Sequence, residues 1–161
     1  MKTLILMRHA KSGWDDPNLS DRERSLNTRG QRDAPRVGAW LKAKGYVADV
    51  AFVSDAHRTQ ETWTLLDLPV PASFHADLYL AEPNEMMAHV MNAEADTVMV
   101  LGHNPGMGEL SAGLAADWPS NPRFMQFPTA SVCVLTFEIA TWSDIAEASG
   151  TVVAFQTPHD L

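Results

Sequence analysis

The chain is expected to fold as an α/β domain with a mostly parallel sheet, and three features of the sequence predict it. Short β-branched or aliphatic runs recur along the whole length, helical patterns separate them, and polar residues suited to chemistry follow directly after three of the runs. Runs with little polar alternation suit strands covered on both faces, and strands that alternate with helices suit parallel pairing.

The expected strands are Thr3–Met7, Asp49–Val53, Thr97–Leu101, Val132–Phe137 and Thr151–Phe155, with a shorter one at Ala72–His75. The first helix is expected over Arg29–Lys44, where Ala34, Val37, Trp40 and Leu41 make an apolar stripe and Gly45 is a stop signal. His57–Leu66 follows the start signal Ser54-Asp55, and Asn84–Asn92 begins after Pro83. Pro105–Ala115 follows Asn104, which is expected to cap it while proline takes the first turn. The loop Ile139–Gly150 is short enough for the last two strands to form a hairpin, which would give the sheet an antiparallel edge.

At 161 residues, with no repeat or long linker, one domain over 1–161 is expected. The net charge of -8 leaves no basic stripe to neutralise a nucleic-acid backbone. Any phosphate site must therefore be built from a few placed cations. The one cysteine, Cys133, lies within an apolar run and is expected to be a buried core residue, as suits a reducing compartment. Thr3–Met7 is too short for the apolar part of a signal peptide, and no window approaches the ~20 apolar residues of a membrane span. A soluble, cytoplasmic protein without a membrane partner is expected.

In open α/β sheets ligands bind beyond the carboxyl ends of the strands. Arg8-His9-Ala10 follows the first strand, Ser54-Asp55-Ala56-His57-Arg58-Thr59 the second, and Gly102-His103-Asn104-Pro105-Gly106 the strand at Thr97–Leu101. Two arginines and two histidines thus occupy equivalent positions on three strands, which no rule of local folding requires. Arginine presents a planar fork that grips two phosphate oxygens and keeps its charge. A neutral imidazole is a competent nucleophile near pH 7, given a reference pKa of ~6.5. A second, protonated imidazole can donate to a phosphoryl oxygen as charge shifts in the transition state. The set suits phosphoryl transfer.

The competing chemistry is a metal site drawn from His9, His57 and His103 with Asp15 or Asp55. No histidine pair has the i, i+4 spacing of a helical zinc motif, and Arg8 and Arg58 would repel a dication. No metal is expected there. His75, His89 and His159 read as surface or packing residues.

These motifs resemble those of the histidine phosphatase superfamily, which includes the phosphoglycerate mutases. Leu-Met-Arg8-His9-Ala10 resembles its Arg-His-Gly/Ala signature, and Ser54 to Thr62 its second-arginine motif. Gly102-His103-Asn104-Pro105 resembles the second-histidine motif in the form of the SixA-type phosphohistidine phosphatases. The stretch Asp21 to Gly30 also resembles that subgroup, as does the ending with Trp142, Gly150 and Pro158-His159-Asp160-Leu161. The resemblance implies a phosphoglycerate mutase-like three-layer αβα sandwich without metal or organic cofactor. It implies His9 as phosphoryl acceptor, Arg8 and Arg58 as phosphate ligands, and His103 as support for the transferring group.

Many superfamily members carry an acidic general acid soon after the segment that here reads Asp77-Leu78-Tyr79, where this chain has Leu80 flanked by Asp77 and Glu82. An alkoxide needs a positioned acid to leave and an imidazole needs less help. Only about thirty residues separate Leu66 from Thr97, which leaves little for a lid over a small substrate. Both features favour phosphohistidine on a partner protein as substrate. The alternatives are a small phosphorylated metabolite, handled by a phosphomonoesterase or mutase with Glu82 or Asp77 as the acid, and a phosphate-binding module without catalysis.

Overall fold

The computed structural model describes residues 1–161. Six strands form one sheet: β1 (Lys2–Arg8), β2 (Val50–Ser54), β3 (Ala72–His75), β4 (Thr97–Gly102), β5 (Val132–Phe137) and β6 (Thr151–Gln156). Four helices connect them: α1 (Thr28–Lys44), α2 (His57–Leu66), α3 (Pro83–Met91) and α4 (Gly106–Leu114). The strand order is β3-β2-β4-β1-β5-β6. β1 through β4 pair in parallel, and β5 runs antiparallel to both β1 and β6, so the hairpin expected from the short last loop is present.

Period-2 alternation within each strand sends neighbouring side chains into two separate cores. Leu4 and Leu6 of β1, Val98 and Val100 of β4, and Cys133, Leu135 and Phe137 of β5 pack with Met86 and Val90 of α3 and Met107, Leu110 and Leu114 of α4. Ile5, Met7, Met99, Leu101, Val132 and Val134 point the other way, against Ala34, Val37 and Leu41 of α1 and Leu66 of α2. The result is three layers, helices on both faces of a sheet. Burial raises the Cys133 thiol to about 12, so it is an inert core group.

Each helix has a local reason for its bounds. Asn27 accepts a hydrogen bond from Gly30 N at the start of α1, and Gly45 ends it in the left-handed region at φ 76°. Glu82 and Glu85 form a capping box around Pro83 at the start of α3. Asn104 accepts from Gly108 N at 3.1 Å, so it does satisfy a first-turn donor of α4, although the helix itself begins two residues later. No helix is long and apolar enough to cross a membrane.

Two expectations need correction. β6 takes the expected antiparallel edge position, paired only with β5, but it is not covered on both faces, and Val153 is 45% exposed. β2 runs one residue later than expected, which makes Ser54 the strand's last residue and buries its hydroxyl.

Candidate active site

The parallel register Arg8↔Gly102 puts the ends of β1 and β4 side by side, and His9 N donates to Gly102 O at 3.0 Å. The next residues on the two strands are His9 and His103, whose ring centroids lie 5.2 Å apart. β2 flanks β4 on its other side, and its exit leads directly into α2, whose first turn carries Arg58. Arg8, His9, Arg58 and His103 therefore line one cavity of about 360 Å³.

Two glycines bring neighbouring elements against the loops of this cleft. A Cβ on Gly30 would sit 2.1 Å from Lys11 O, and one on Gly106 would sit 2.0 Å from Ala81 O. Only glycine allows α1 and α4 to approach that closely.

The hydrogen bonds fix the tautomers of the two histidines. His9 Nδ1 is 2.7 Å from Ala10 O, and a carbonyl only accepts, so Nδ1 carries the proton and Nε2 the lone pair. Arg58 Nη2 donates toward His103 Nδ1 at 3.4 Å, so Nδ1 is the acceptor and Nε2–H donates to Ser54 Oγ at 2.7 Å. Ser54 Oγ also accepts from Ala56 N, which holds the hydroxyl in place. Both rings are held neutral. Burial, then the nearby His103, Arg58 and Arg8, push His9 well below its usual range, against an opposing pull from the Ala10 carbonyl. Burial and the Arg58 guanidinium bring His103 down to about 3.

The cleft is positively charged in an acidic protein. Arg8, Lys11, Arg24 and Arg58 line it against one carboxylate, Asp21. Arg8 donates to Phe127 O at 3.2 Å, and burial followed by the Arg58 charge lowers its pKa. The Nε atoms of Arg8 and Arg58 are buried without a partner, donors that nothing in the protein satisfies.

Asp21 organises the arginines. It lies in a 3-10 turn at Asp21–Glu23 and accepts from Arg58 Nη2 at 3.1 Å, from Arg24 Nε at 3.1 Å, and from the Tyr79 hydroxyl. Partial burial works to raise its pKa, but the Tyr79 bond and the Arg58 and Arg24 contacts outweigh it and hold the carboxyl at about 2. Arg24 also donates to Ser12 Oγ at 2.8 Å and lies 3.6 Å over the Trp14 ring, an indole 71% exposed at the mouth of the cleft.

Asp77 and Glu82 do not join this group. Asp77 accepts from His89 Nε2 at 3.0 Å and lines a different cavity. Glu82 is exposed at the cap of α3. Leu80, between them, is the side chain that faces the cleft. The competing metal set is not assembled either: His57 pairs with Glu61 and Asp55 with Arg22.

Reading the sequence missed Asp21, Arg24, Ser54 and Tyr79 as parts of the site. Asp21 and Arg24 had a signal, since both lie in the stretch that resembles the SixA subgroup. Ser54 was visible as a helix start and as the first residue of the second-arginine motif but not as a partner of His103, and nothing local marks Tyr79.

A family model for the histidine phosphatase superfamily (branch 1) matches residues 4–85. A protein of Mycobacterium tuberculosis, Rv1276c, of uncharacterized function, is 31% identical over 95% of this chain and all of its own length. The solved structure of a Nakamurella multipartitia protein assigned as phosphohistidine phosphatase SixA superposes with a TM-score of 0.85 at 29% identity, covering 98% of this chain and 96% of that one. A 2,3-bisphosphoglycerate-dependent phosphoglycerate mutase of Xanthobacter autotrophicus is 43% identical over 67 residues, which is 40% of this chain and 32% of the mutase. With the cleft at the strand ends and these relatives on either side of it, the chain belongs to the histidine phosphatase superfamily, and its fold is of the SixA type.

Proposed function

We propose that this phosphatase removes phosphate from phosphohistidine on a partner protein, with His9 as the nucleophile. The observation that carries the substrate class is the state of the single carboxylate in the cleft. Asp21 is engaged by two arginines and a tyrosine and is ionised down to about pH 2, so it has no proton to give a leaving group. Leu80, which lines the cleft, stands where the superfamily resemblance would place an acid.

In the proposed reaction the two arginine forks hold the phosphoryl oxygens and the His9 Nε2 lone pair attacks phosphorus. The phosphorus–nitrogen bond to the substrate imidazole breaks. Where the other ring nitrogen of the substrate is protonated, the group departs as neutral imidazole and no enzyme acid is needed. A proton on His103 Nδ1 would donate to the transferring group once the phosphate charge is beside it. Water then attacks phosphorus on His9, its proton goes to solvent or phosphate, and the His9 lone pair is restored.

The open cleft suits a protein-borne substrate. Its mouth carries Trp14 and Leu80, both exposed, and no further element closes over them. The second reading, a phosphomonoesterase or mutase acting on a small phosphorylated metabolite, draws support from the mutase match over 67 residues.

The test is a side-by-side assay of a phosphohistidine protein against alkyl and aryl phosphomonoesters. Phosphohistidine should turn over fastest, an activated aryl phosphate should be intermediate, and alkyl phosphates slowest, by the ~10²–10⁴-fold that a general acid supplies. An alkyl phosphate hydrolysed as fast as phosphohistidine would replace this reading with the second one.

A further inference from the structure

Outside the cleft, the edge of the sheet gathers two histidines and an aspartate that the proposed reaction does not use. His75 ends β3, Asp77 lies in the 3-10 turn Ala76–Leu78 that follows it, and His89 comes from the last turn of α3. Their donor atoms all lie within 4.8 Å of one another. The two imidazoles are adjacent, with ring centroids 4.4 Å apart, and Phe52 packs on both at 5.8 and 5.4 Å. A cavity of about 280 Å³ opens beside them, lined in part by Phe52, Asp77 and His89.

We propose that His75, Asp77 and His89 form a binding site for a divalent first-row transition metal of the zinc class, with a coordination position left open toward this cavity. Two imidazoles with one carboxylate suit zinc and its neighbours, whereas calcium and magnesium require mostly oxygen donors. His89 Nε2 lies 3.0 Å from each Asp77 oxygen, a spacing two ligands adopt when both sit about 2 Å from one ion. The metal would take the place of the proton in that contact. His75 Nε2 is 2.7 Å from Ser73 Oγ, which leaves Nδ1 as the ligating atom and supplies the hydrogen bond that metal-bound imidazoles make through their other nitrogen. Separations of up to 4.8 Å have to close to about 3.3 Å in a tetrahedral site. Asp77, whose side chain is 61% exposed, is free to make that movement.

The sequence hides this site, because residues 14 positions apart carry no helical zinc spacing and each histidine alone reads as packing. The site shares no lining residue with the cleft. Its expected role is therefore to clamp the end of β3 to α3, fixing the segment whose Tyr79 bonds Asp21 and whose Leu80 reaches the cleft.

Zinc titration of the chelator-stripped full chain, read by competition with a chromogenic chelator, tests the proposal. One zinc should bind per chain at low-micromolar concentration or tighter and raise Tm. His75→Gln with His89→Gln should weaken binding by at least ~100-fold, beyond what the loss of an outer-shell partner costs, and His57→Gln should leave it unchanged. Equal affinity in the double variant, or zinc lost with His9→Ala instead, would overturn the site. A second measurement needs no variant: zinc should shield His75 and His89 of the native chain from diethyl pyrocarbonate while His57 and His159 still react. Modification of His75 and His89 at the zinc-free rate would equally refute it.

Discussion

His9 and His103 are both neutral, yet each ring is bonded so that a different nitrogen is active. His9 presents the Nε2 lone pair because Nδ1–H is committed to Ala10 O, whereas His103 presents Nδ1 toward Arg58 because Nε2–H is committed to Ser54. His9→Ala should accordingly lose the covalent phosphoryl species, seen by rapid acid-free quenching and mass spectrometry, together with turnover. His103→Ala should lower kcat far more than it weakens inhibition by tungstate, because its proton matters most in the transition state. Phosphate trapped on any residue other than His9 would remove the proposed mechanism. Asp21 offers a sharper separation. Its carboxylate holds Arg58 and Arg24 and gives no proton, so Asp21→Asn should lower turnover of phosphohistidine and of an aryl phosphate by the same factor, where loss of a true general acid would cost ~10²–10⁴-fold with the ester alone. A loss of that size with the phosphate ester and not with phosphohistidine would make Asp21 the missing acid.

At the scale of elements, α4 contains its own controlled comparison. A Cβ on Gly106 would meet Ala81 O at 2.0 Å, while one on Gly113 in the last turn of the same helix meets nothing within 4 Å. Gly106→Ala should therefore destabilise by about 1–3 kcal/mol through overpacking. Gly113→Ala should stabilise by roughly 0.5–1 kcal/mol through helix propensity. Denaturant midpoints at constant m-value check both, and equal effects would mean that the contact with Ala81 carries no strain. The same comparison shows what the sequence makes legible. The strands were readable because runs such as Leu4–Met7 and Val98–Leu101 have to fill two cores at once, and α1 because Asn27 and Gly45 mark its ends locally. The strand ends then placed Arg8, His9, Arg58 and His103 together. The edge position of β6 was readable from the short loop before it, but its exposed face was not, because its composition is as apolar as that of the buried strands. Asp21 and Tyr79 were not legible as site residues for a related reason: they meet Arg58 and each other across 37 and 58 positions of sequence, through contacts that exist only once the layers are packed.

For the molecule as a whole, the cleft makes stability depend on pH in a direction that follows from the two histidines. Their folded-state pKa values lie below the unfolded value of ~6.5, His103 at about 3. Below pH ~6.5 the unfolded chain takes up protons at these rings that the folded chain refuses, so stability falls as pH drops from there toward about 3. Each ring contributes at most about 1.4 kcal/mol per pH unit in that window. Asp21 adds a loss at lower pH, because its folded pKa of about 2 lies below its ordinary value of 3.8, and the advantage it confers disappears as acid titrates it. The four cations of the cleft, set in a chain of net charge -8, supply a way to isolate the contribution of the site. Sulfate keeps its double charge at mildly acidic pH. Bound between Arg8 and Arg58 it would offset the cations that hold His9 and His103 neutral and allow them to protonate without unfolding. Sulfate should thus stabilise the chain by mass action at pH 7.5 and by a larger increment at pH 5, where protons taken up at the rings add to the binding. Thermal unfolding at the two pH values, with sulfate and with chloride at equal ionic strength, measures this. The extra increment at pH 5 should vanish in the His9→Gln/His103→Gln variant, since without the imidazoles sulfate has no proton uptake to couple to. If the increment were the same at both pH values in the native chain, the histidines would not be the groups that sense the anion, and the placement of phosphate between them would have to be given up.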